Sequence, residues 1–298
     1  MNIFCRSIVC ASIAFIFHSC KYDKIDLVAG GSSETGFSSE VGNIFSAKCS
    51  VSGCHTSTDK DAAGGLDLSS WNALFNGARN GSPVVPFTSQ YSFLCYFINS
   101  YPDLGIIHDS IGNAMPPSPR PLLSHVEVAA VADWINNGAR NKNDELKFPD
   151  DASRKKIYVA MQQNDVVCVF DAASRQIMRY VKVGADDNNI EQPHQIRISP
   201  DGQYWYIVFR TGKYLERYRT IDDSFDARIF IDIGNWNTMA ITPDGKHGFI
   251  VDYSATGKIS HVNLQTMSPP VNTSIDLANP HGSYFMESQP FLYVTAQK

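Results

Sequence analysis

The sequence has no run of lysine or arginine residues, no apolar segment long enough to span a bilayer and no second cysteine–histidine cluster. A formal net charge of −5 without a basic run argues against nucleic acid as a partner. The apolar run of residues 7–17 is too short for a transmembrane helix. A single cysteine–histidine cluster also argues against structural zinc. The hydrophobic content of 43% describes a folded chain, and 298 residues are enough for two domains.

The N-terminus resembles the signal of a bacterial lipoprotein. Arg6 is the only charged side chain before the apolar run, and Ser19 precedes Cys20 as in a lipobox. The resemblance implies removal of residues 1–19, lipidation of Cys20 and a membrane anchor, with residues 20–39 as a flexible tether. A plain cleaved signal and a retained anchor are the alternatives. We therefore expect a protein of the bacterial cell envelope, either periplasmic or surface-exposed.

Two cysteines and a histidine lie together at residues 49–55. Cys49 and Cys54 are separated by four residues, and His55 follows directly. In c-type cytochromes two thiols add to the haem vinyl groups and the adjacent imidazole binds the iron, although the usual spacing is C-x-x-C-H. An oxidising compartment equally permits a local disulfide. The stretch therefore predicts covalent haem, with a Cys49–Cys54 disulfide as the alternative.

The surrounding residues, 40–140, predict short helices separated by loops. Ser39 is the expected N-cap of a helix that runs into Cys49 with one apolar face. The last helix begins at Ser124, and Glu127 three residues later completes a capping box. The first and last helices of such a segment can cross while the loops wrap a porphyrin edge. This order predicts a small all-α domain.

These motifs resemble the planctomycete-type cytochrome c domains over about 100 residues. The matching stretches occur in the family's order: Cys54-His55, Gly65–Ser69, Pro83–Pro86, Met115–Pro117, Leu123-Ser124 and Val131–Ala139. By this resemblance the two cysteines carry the thioethers of haem c, His55 is the proximal iron ligand and Met115 is the distal one. His108 and His125 are rival distal ligands.

Beyond residue 156 the apolar pattern changes from the helical period to alternation. Four strand-like segments recur at spacings of 49, 43 and 43 residues: 157–160, 206–209, 249–252 and 292–295. A Pro-Asp-Gly turn recurs at Asp201 and Asp244, and a Pro-His pair recurs at His194 and His281. A period in the forties with four strands per repeat indicates a β-propeller blade. The repeats resemble YVTN-family propellers, which are similar to those of quinoprotein dehydrogenases.

We therefore predict a multidomain fold with a small all-α cytochrome c domain at 40–140, a linker at 141–156 and an all-β propeller at 157–298. The propeller is expected to be truncated after about three blades. Because known propellers close with roughly four to eight blades, the sequence is expected to be a fragment or truncated product of a longer protein. The sequence makes no prediction of the oligomeric state.

The first functional hypothesis is a lipid-anchored cytochrome that exchanges electrons with a redox partner protein, with the propeller as a docking or substrate platform. An alternative is an oxidoreductase with chemistry in the propeller, as in nitrite reductases that carry haem d or in quinoprotein enzymes. His194 and His281 are its speculative site, although a strand-end histidine often only satisfies its neighbours. A third hypothesis is a non-redox exported scaffold with the disulfide. No catalytic residue is assigned, so electron transfer without catalysis is preferred.

Overall fold

The computed structural model describes residues 35–107, 113–286 and 288–297. The predicted signal and the lipidation site Cys20 lie outside the described residues, as does the rival ligand His108. No helix in the described ranges has the length and apolarity needed to cross a bilayer.

Four α-helices form in the first half of the described chain, close to where apolar periodicity predicts them: α1 (Ser39–Lys48), α2 (Trp71–Leu74), α3 (Phe93–Ile98) and α4 (His125–Asn136). Short 3-10 helices cover Ser89–Tyr91 and Pro102–Leu104. The N-cap of α1 is Ser38, one residue before the predicted Ser39. The capping box of α4 is confirmed, since the Ser124 hydroxyl accepts from the N–H of Glu127 and the Glu127 carboxylate accepts from the N–H of Ser124 at 2.6 Å.

The rest of the described chain is built from antiparallel strands. They are β1 (Lys156–Met161), β2 (Val166–Asp171), β3 (Ile177–Lys182), β4 (Pro193–Ile198), β5 (Tyr204–Phe209), β6 (Tyr214–Arg219), β7 (Phe225–Phe230), β8 (Trp236–Ile241), β9 (His247–Asp252), β10 (Lys258–Asn263), β11 (Ser268–Ser274), β12 (Pro280–Phe285) and β13 (Leu292–Ala296). Four sheets result, β1–β3, β4–β7, β8–β11 and β12–β13, each in sequence order. The second and third sheets therefore have the predicted four strands, and the recurring segments are β1, β5, β9 and β13.

The turn after β4 has the same geometry as the turn after β8. Gly202 donates its N–H to the carbonyl of Ser199, and Gly245 donates to Thr242, both at 2.8 Å. The two glycines have φ values of 73° and 71°, a left-handed conformation that residues with a Cβ rarely adopt. The Pro-Asp-Gly repeats therefore close equivalent hairpins, as predicted.

The first strands of successive sheets lie against one another. β1 contacts β4, β4 contacts β8, and β8 contacts β12. Side chains connect these strands: Arg197 Nε donates to the carbonyl of Met239 at 2.8 Å, and the hydroxyls of Thr238 and Ser283 lie 2.9 Å apart. Antiparallel sheets joined through their first strands have the arrangement of consecutive β-propeller blades. Within the described residues the sheets do not close into a ring.

The predicted fold class, with a separate small all-α cytochrome c domain, is wrong. Most of the regular secondary structure in the described residues is β-sheet, and these residues form one compact unit. The helices lie in residues 35–148, which we call the helical segment. One buried cluster contains Phe45 and Trp134 of this segment together with Met178 and Trp205 of the first two sheets. Apolar periodicity shows which face of a helix is buried but not what covers it. Here the sheets cover part of the helical segment.

Candidate functional site

The loop of residues 49–55 is closed by backbone hydrogen bonds. The N–H of Cys49 donates to the carbonyl of Phe45 at 2.9 Å and ends α1. The N–H of His55 donates to the carbonyl of Cys49 at 3.1 Å, so the loop returns to its own beginning. Gly53 has a φ of 79°, which gives the tight turn that the extra residues between the cysteines require. The long spacing is therefore accommodated by a compact loop.

The two thiols of this loop differ in environment. Neither is in a disulfide, so the predicted alternative of a Cys49–Cys54 bridge is not formed in the structure. Cys49 is part of the buried core, and its burial raises the pKa of its thiol to about 12. Cys54 is half-buried. Both sulfurs are therefore free, Cys49 is protonated at neutral pH, and Cys54 is the more accessible of the two.

The imidazole of His55 has one nitrogen fixed by the backbone. Its Nδ1 lies 3.2 Å from the carbonyl of Leu66, and because a carbonyl only accepts, Nδ1 carries the proton. Burial lowers the pKa of His55, and this hydrogen bond only partly opposes the shift. The ring is therefore neutral at physiological pH, with the lone pair on Nε2. A backbone bond on one nitrogen that leaves the other free is the usual arrangement of an iron- or zinc-binding histidine.

The predicted distal ligand lies on another part of the helical segment. Met115 is half-buried, and its N–H donates to the carbonyl of Phe97 in α3 at 2.7 Å. The rival ligand His125 lies at the surface, where its Nε2 is 2.8 Å from a carboxylate oxygen of Asp103. That carboxylate already occupies one ring nitrogen of His125. The pairing of Met115 with His55 stays a prediction.

The other predicted site residues, His194 and His281, lie at β-bulges. The register of β4 against β5, of β8 against β9 and of β12 against β13 shifts at the start of each pair. The residues skipped by the pairing are His194, Asn237 and His281, which we call the bulge residues. A bulge leaves one residue unpaired and redirects its side chain. Three successive sheets therefore project a polar side chain from the same corner.

The bulge residues interact with one another around His194. Its Nδ1 accepts from Nε2 of Gln162 at 2.5 Å. Burial lowers the pKa of His194, a side-chain hydrogen bond with Asn237 opposes this shift, and the charges of Arg210 and His281 lower the pKa further. His194 and His281 thus lie at equivalent bulges, in the second and fourth of the four sheets. Sequence reasoning missed Asn237 because the residue type differs, although it follows His194 by one blade period of 43 residues.

No family model and no curated protein matches this chain. Among solved structures, a similar one is the hydrazine synthase of Kuenenia stuttgartiensis, 21% identical with a TM-score of 0.42 over 47% of this chain and 40% of that one. Another is a candidate 6-phosphogluconolactonase of Bacteroides uniformis, 14% identical with a TM-score of 0.41 over 50% of this chain and 46% of that one. The chain therefore spans less than half the length of either structure.

Proposed function

We propose that this chain binds haem covalently at the 49–55 loop and transfers electrons through it. The observation that carries the proposal is the His55 imidazole, with Nδ1 bound to the Leu66 carbonyl and Nε2 left to bind iron. The N–H of Leu68 also donates to the carbonyl of His55 at 2.8 Å, which fixes the backbone of the ligand. A neutral imidazole oriented by the backbone needs no deprotonation to bind iron.

Cys49 and Cys54 provide the two free thiols that attachment requires, and Cys49 would have to leave its buried position to react. Each thiol would add across one vinyl group, so that a sulfur–carbon bond forms, the thiol proton moves to the other vinyl carbon, and no oxidant is required. The closed loop keeps both sulfurs and the imidazole on seven consecutive residues. Met115 would provide the second iron ligand, and bound haem would supply reversible one-electron exchange.

We also propose a location, on the basis of the N-terminal sequence. Residues 1–20 resemble a lipoprotein signal, so the mature protein would be anchored in the cell envelope through lipid at Cys20. That compartment is where bacteria attach haem covalently. We propose a redox partner protein as the electron donor or acceptor, and the propeller-like sheets as the platform on which it docks. This assignment keeps covalent haem without requiring a separate all-α cytochrome c domain.

Haem staining of denatured protein tests attachment, since only covalent haem survives denaturation. We expect staining when the chain is produced with haem-attachment machinery, and none in a Cys49→Ala/Cys54→Ala variant. Cys168→Ala is the matched control, because Cys168 lies on β2, outside the loop, and its loss should leave the stain unchanged. Colourless wild-type protein would instead favour the non-redox scaffold.

The iron ligands are tested separately in the stained protein. His55→Ala should alter the reduced absorption spectrum, and Met115→Ala should lower the reduction potential, because a methionine ligand raises the potential. A Met115→Ala variant with unchanged spectrum and potential would exclude Met115 as the distal ligand. His125→Ala serves as the control, since its imidazole is bound to Asp103.

A further inference from the structure

Strands β9 and β10 bring two imidazoles into contact on one face of the third sheet. His247 and His261 are diagonal neighbours across this antiparallel pair, because Phe249 lies opposite His261. Nε2 of His261 lies 3.0 Å from Nδ1 of His247, and the ring centroids are 5.0 Å apart. We infer that His247 and His261 form a binding site for one divalent transition-metal ion, of the class that includes Zn²⁺ and Cu²⁺.

The distance between the two ring nitrogens suits two ligands of one ion. Imidazole nitrogens bind Zn²⁺ at about 2.1 Å, so two of them are about 3.0 Å apart at a right angle and about 3.4 Å apart at the tetrahedral angle. In the structure the same two nitrogens share one proton in a hydrogen bond. A small rotation of the rings would direct both lone pairs at one ion. The shared proton would then move to the other nitrogen of its own ring.

Both histidines are held in place by the sheet. The ring of His261 stacks on Phe249, with centroids 4.6 Å apart and an angle of 6° between the planes. The N–H of His247 donates to the hydroxyl of Thr242 at 3.1 Å, and the His247 carbonyl accepts from the N–H of Thr242 at 2.9 Å. Ligands that are already ordered lose less conformational freedom on binding. Both side chains are half-buried, so an ion can reach them from solvent.

The charge state of the pair also suits a cation. Burial lowers the pKa of His261, and the charge of His247 lowers it further. His261 is therefore neutral at neutral pH and has a lone pair for the ion. The described residues contain no group of three or more His, Cys, Asp or Glu side chains placed to hold a metal ion, so water would complete the coordination. Imidazole ligands favour Cu²⁺, Zn²⁺ or Ni²⁺ over Mg²⁺ and Ca²⁺.

The second sheet shows what the same two positions do with other residues. Tyr204 and Arg217 form the equivalent diagonal pair on β5 and β6, and Cζ of Arg217 lies 4.6 Å from the ring centroid of Tyr204. This cation–π pair packs the surface of its sheet but offers no lone pair to a metal ion. The fold therefore brings the two side chains together in both sheets, and the histidines of the third sheet add the ligand chemistry.

Calorimetric titration with Zn²⁺ tests the inference in the Cys49→Ala/Cys54→Ala variant, which lacks the competing thiols of the 49–55 loop. We expect saturable binding of one ion. His247→Gln or His261→Gln, added to this parent, should weaken binding by more than about tenfold, the loss that removing an outer-shell partner of a metal site already causes. His281→Gln is the matched control, since that ring packs edge-on to Tyr253, and it should bind as the parent does.

A His247→Tyr/His261→Arg variant reproduces the pair of the second sheet, so it should fold and yet not bind Zn²⁺. Far-ultraviolet circular dichroism checks the fold of each variant. Electron paramagnetic resonance of bound Cu²⁺ should show two nitrogen ligands in the parent and one in either glutamine variant. The inference is overturned if Zn²⁺ does not saturate the parent, if a glutamine variant binds as tightly as the parent, or if His281→Gln weakens binding equally. The parent cannot attach haem, so the result is independent of the function proposed for the 49–55 loop.

Discussion

The helical segment, residues 35–148, buries its apolar side chains differently from the sheets that follow. Its centre is an aromatic trio of Phe37, Phe45 and Trp134, with ring centroids 5.1 to 6.2 Å apart. The sheets instead form one further cluster, between the second and third sheets. The helical segment has no such cluster to itself, because its buried residues are continuous with those of the first two sheets. Short helices with long loops need a neighbouring surface to complete their core.

Strand β5 connects the two regions. Its residues from Trp205 to Phe209 are all buried. Because side chains alternate along a strand, Trp205 and Ile207 belong to the cluster shared with the helical segment, whereas Tyr206 and Val208 belong to the cluster shared with the third sheet. Strand β5 therefore contributes side chains to both cores. Because disrupting this strand would disrupt both cores, we predict that the two regions unfold together.

Of the substitutions proposed here, Trp205→Ala should cause the largest loss of stability. The indole is fully buried and stacks on Tyr218 with centroids 4.1 Å apart. We expect a loss of about 3–5 kcal/mol in the free energy of unfolding. Circular dichroism of the helices and tryptophan fluorescence should report one common transition in urea. Tyr284→Ala, at a residue 62% exposed, should change stability by less than about 0.5 kcal/mol. Two separate transitions would show that the helical segment folds independently.

Asp223→Asn should have the next largest effect, and it acts among the sheets. Asp223 is buried and accepts from Lys156 Nζ at 2.8 Å and from the hydroxyl of Tyr158 at 2.8 Å, which ties β1 to the turn after β6. Removing its charge leaves the Lys156 ammonium buried without a counter-ion, since the Lys156 side chain is 4% exposed. We expect a loss of about 2–3 kcal/mol, measured by urea denaturation.

The control for that variant is Asp244→Asn in the turn after β8. Asp244 is exposed and lies 3.9 Å from Lys246 Nζ. Solvent screens this pair, and an asparagine oxygen can still accept from the Thr242 hydroxyl and the N–H of Lys246 as Asp244 does, so the substitution should shift the denaturation midpoint far less than Asp223→Asn. Equal losses in the two variants would contradict the view that a buried ion pair joins the first two sheets.

Local features were predictable from the sequence and long-range ones were not. The capping box at Ser124, the Pro-Asp-Gly turns and the strand period each depend on residues a few positions apart, or on repetition. The burial of the helical segment depends on distant side chains such as Trp205, which lies about 70 residues beyond α4 in the sequence. No local pattern encodes that contact. The predicted separate domain was wrong for this reason.

The same division between local and long-range features applies to the 49–55 loop and the bulge residues. Cys49, Cys54 and His55 are neighbours in sequence, so their proximity needs no structure to recognise. The bond from His55 to the Leu66 carbonyl, which fixes the tautomer, does need one. Of the bulge residues, His194 and His281 could be noted from the repeated Pro-His pair. Asn237 could be found only by aligning the repeats by position, because its neighbour Trp236 replaces the proline.

The smallest expected effect lies within the helical segment, at the contact between α1 and α4. The Glu127 carboxylate accepts from Lys48 Nζ at 2.6 Å and belongs to the capping box of α4. Burial raises the pKa of Glu127, but the hydrogen bonds from Lys48 and Ser124 outweigh this and lower the pKa below its ordinary value. A lowered folded-state pKa stabilises the fold above the unfolded-state pKa, and that stabilisation is lost as the pH falls through the folded-state pKa.

Glu127→Gln keeps a side chain able to complete the capping box but removes the charge. Because the pair is partly exposed, we expect a loss of only about 0.5 kcal/mol at neutral pH. Thermal melts from about pH 7 to about pH 3 should show the difference from wild type shrinking towards the acid end, since protonation of Glu127 removes the charge that distinguishes it from glutamine. Glu40→Gln makes the same charge change in the first turn of α1, where the described residues show no ion pair, and should change stability less. A Glu127→Gln difference that persists undiminished at low pH would mean that the side chain acts through packing, and that α1 and α4 are not held together by charge.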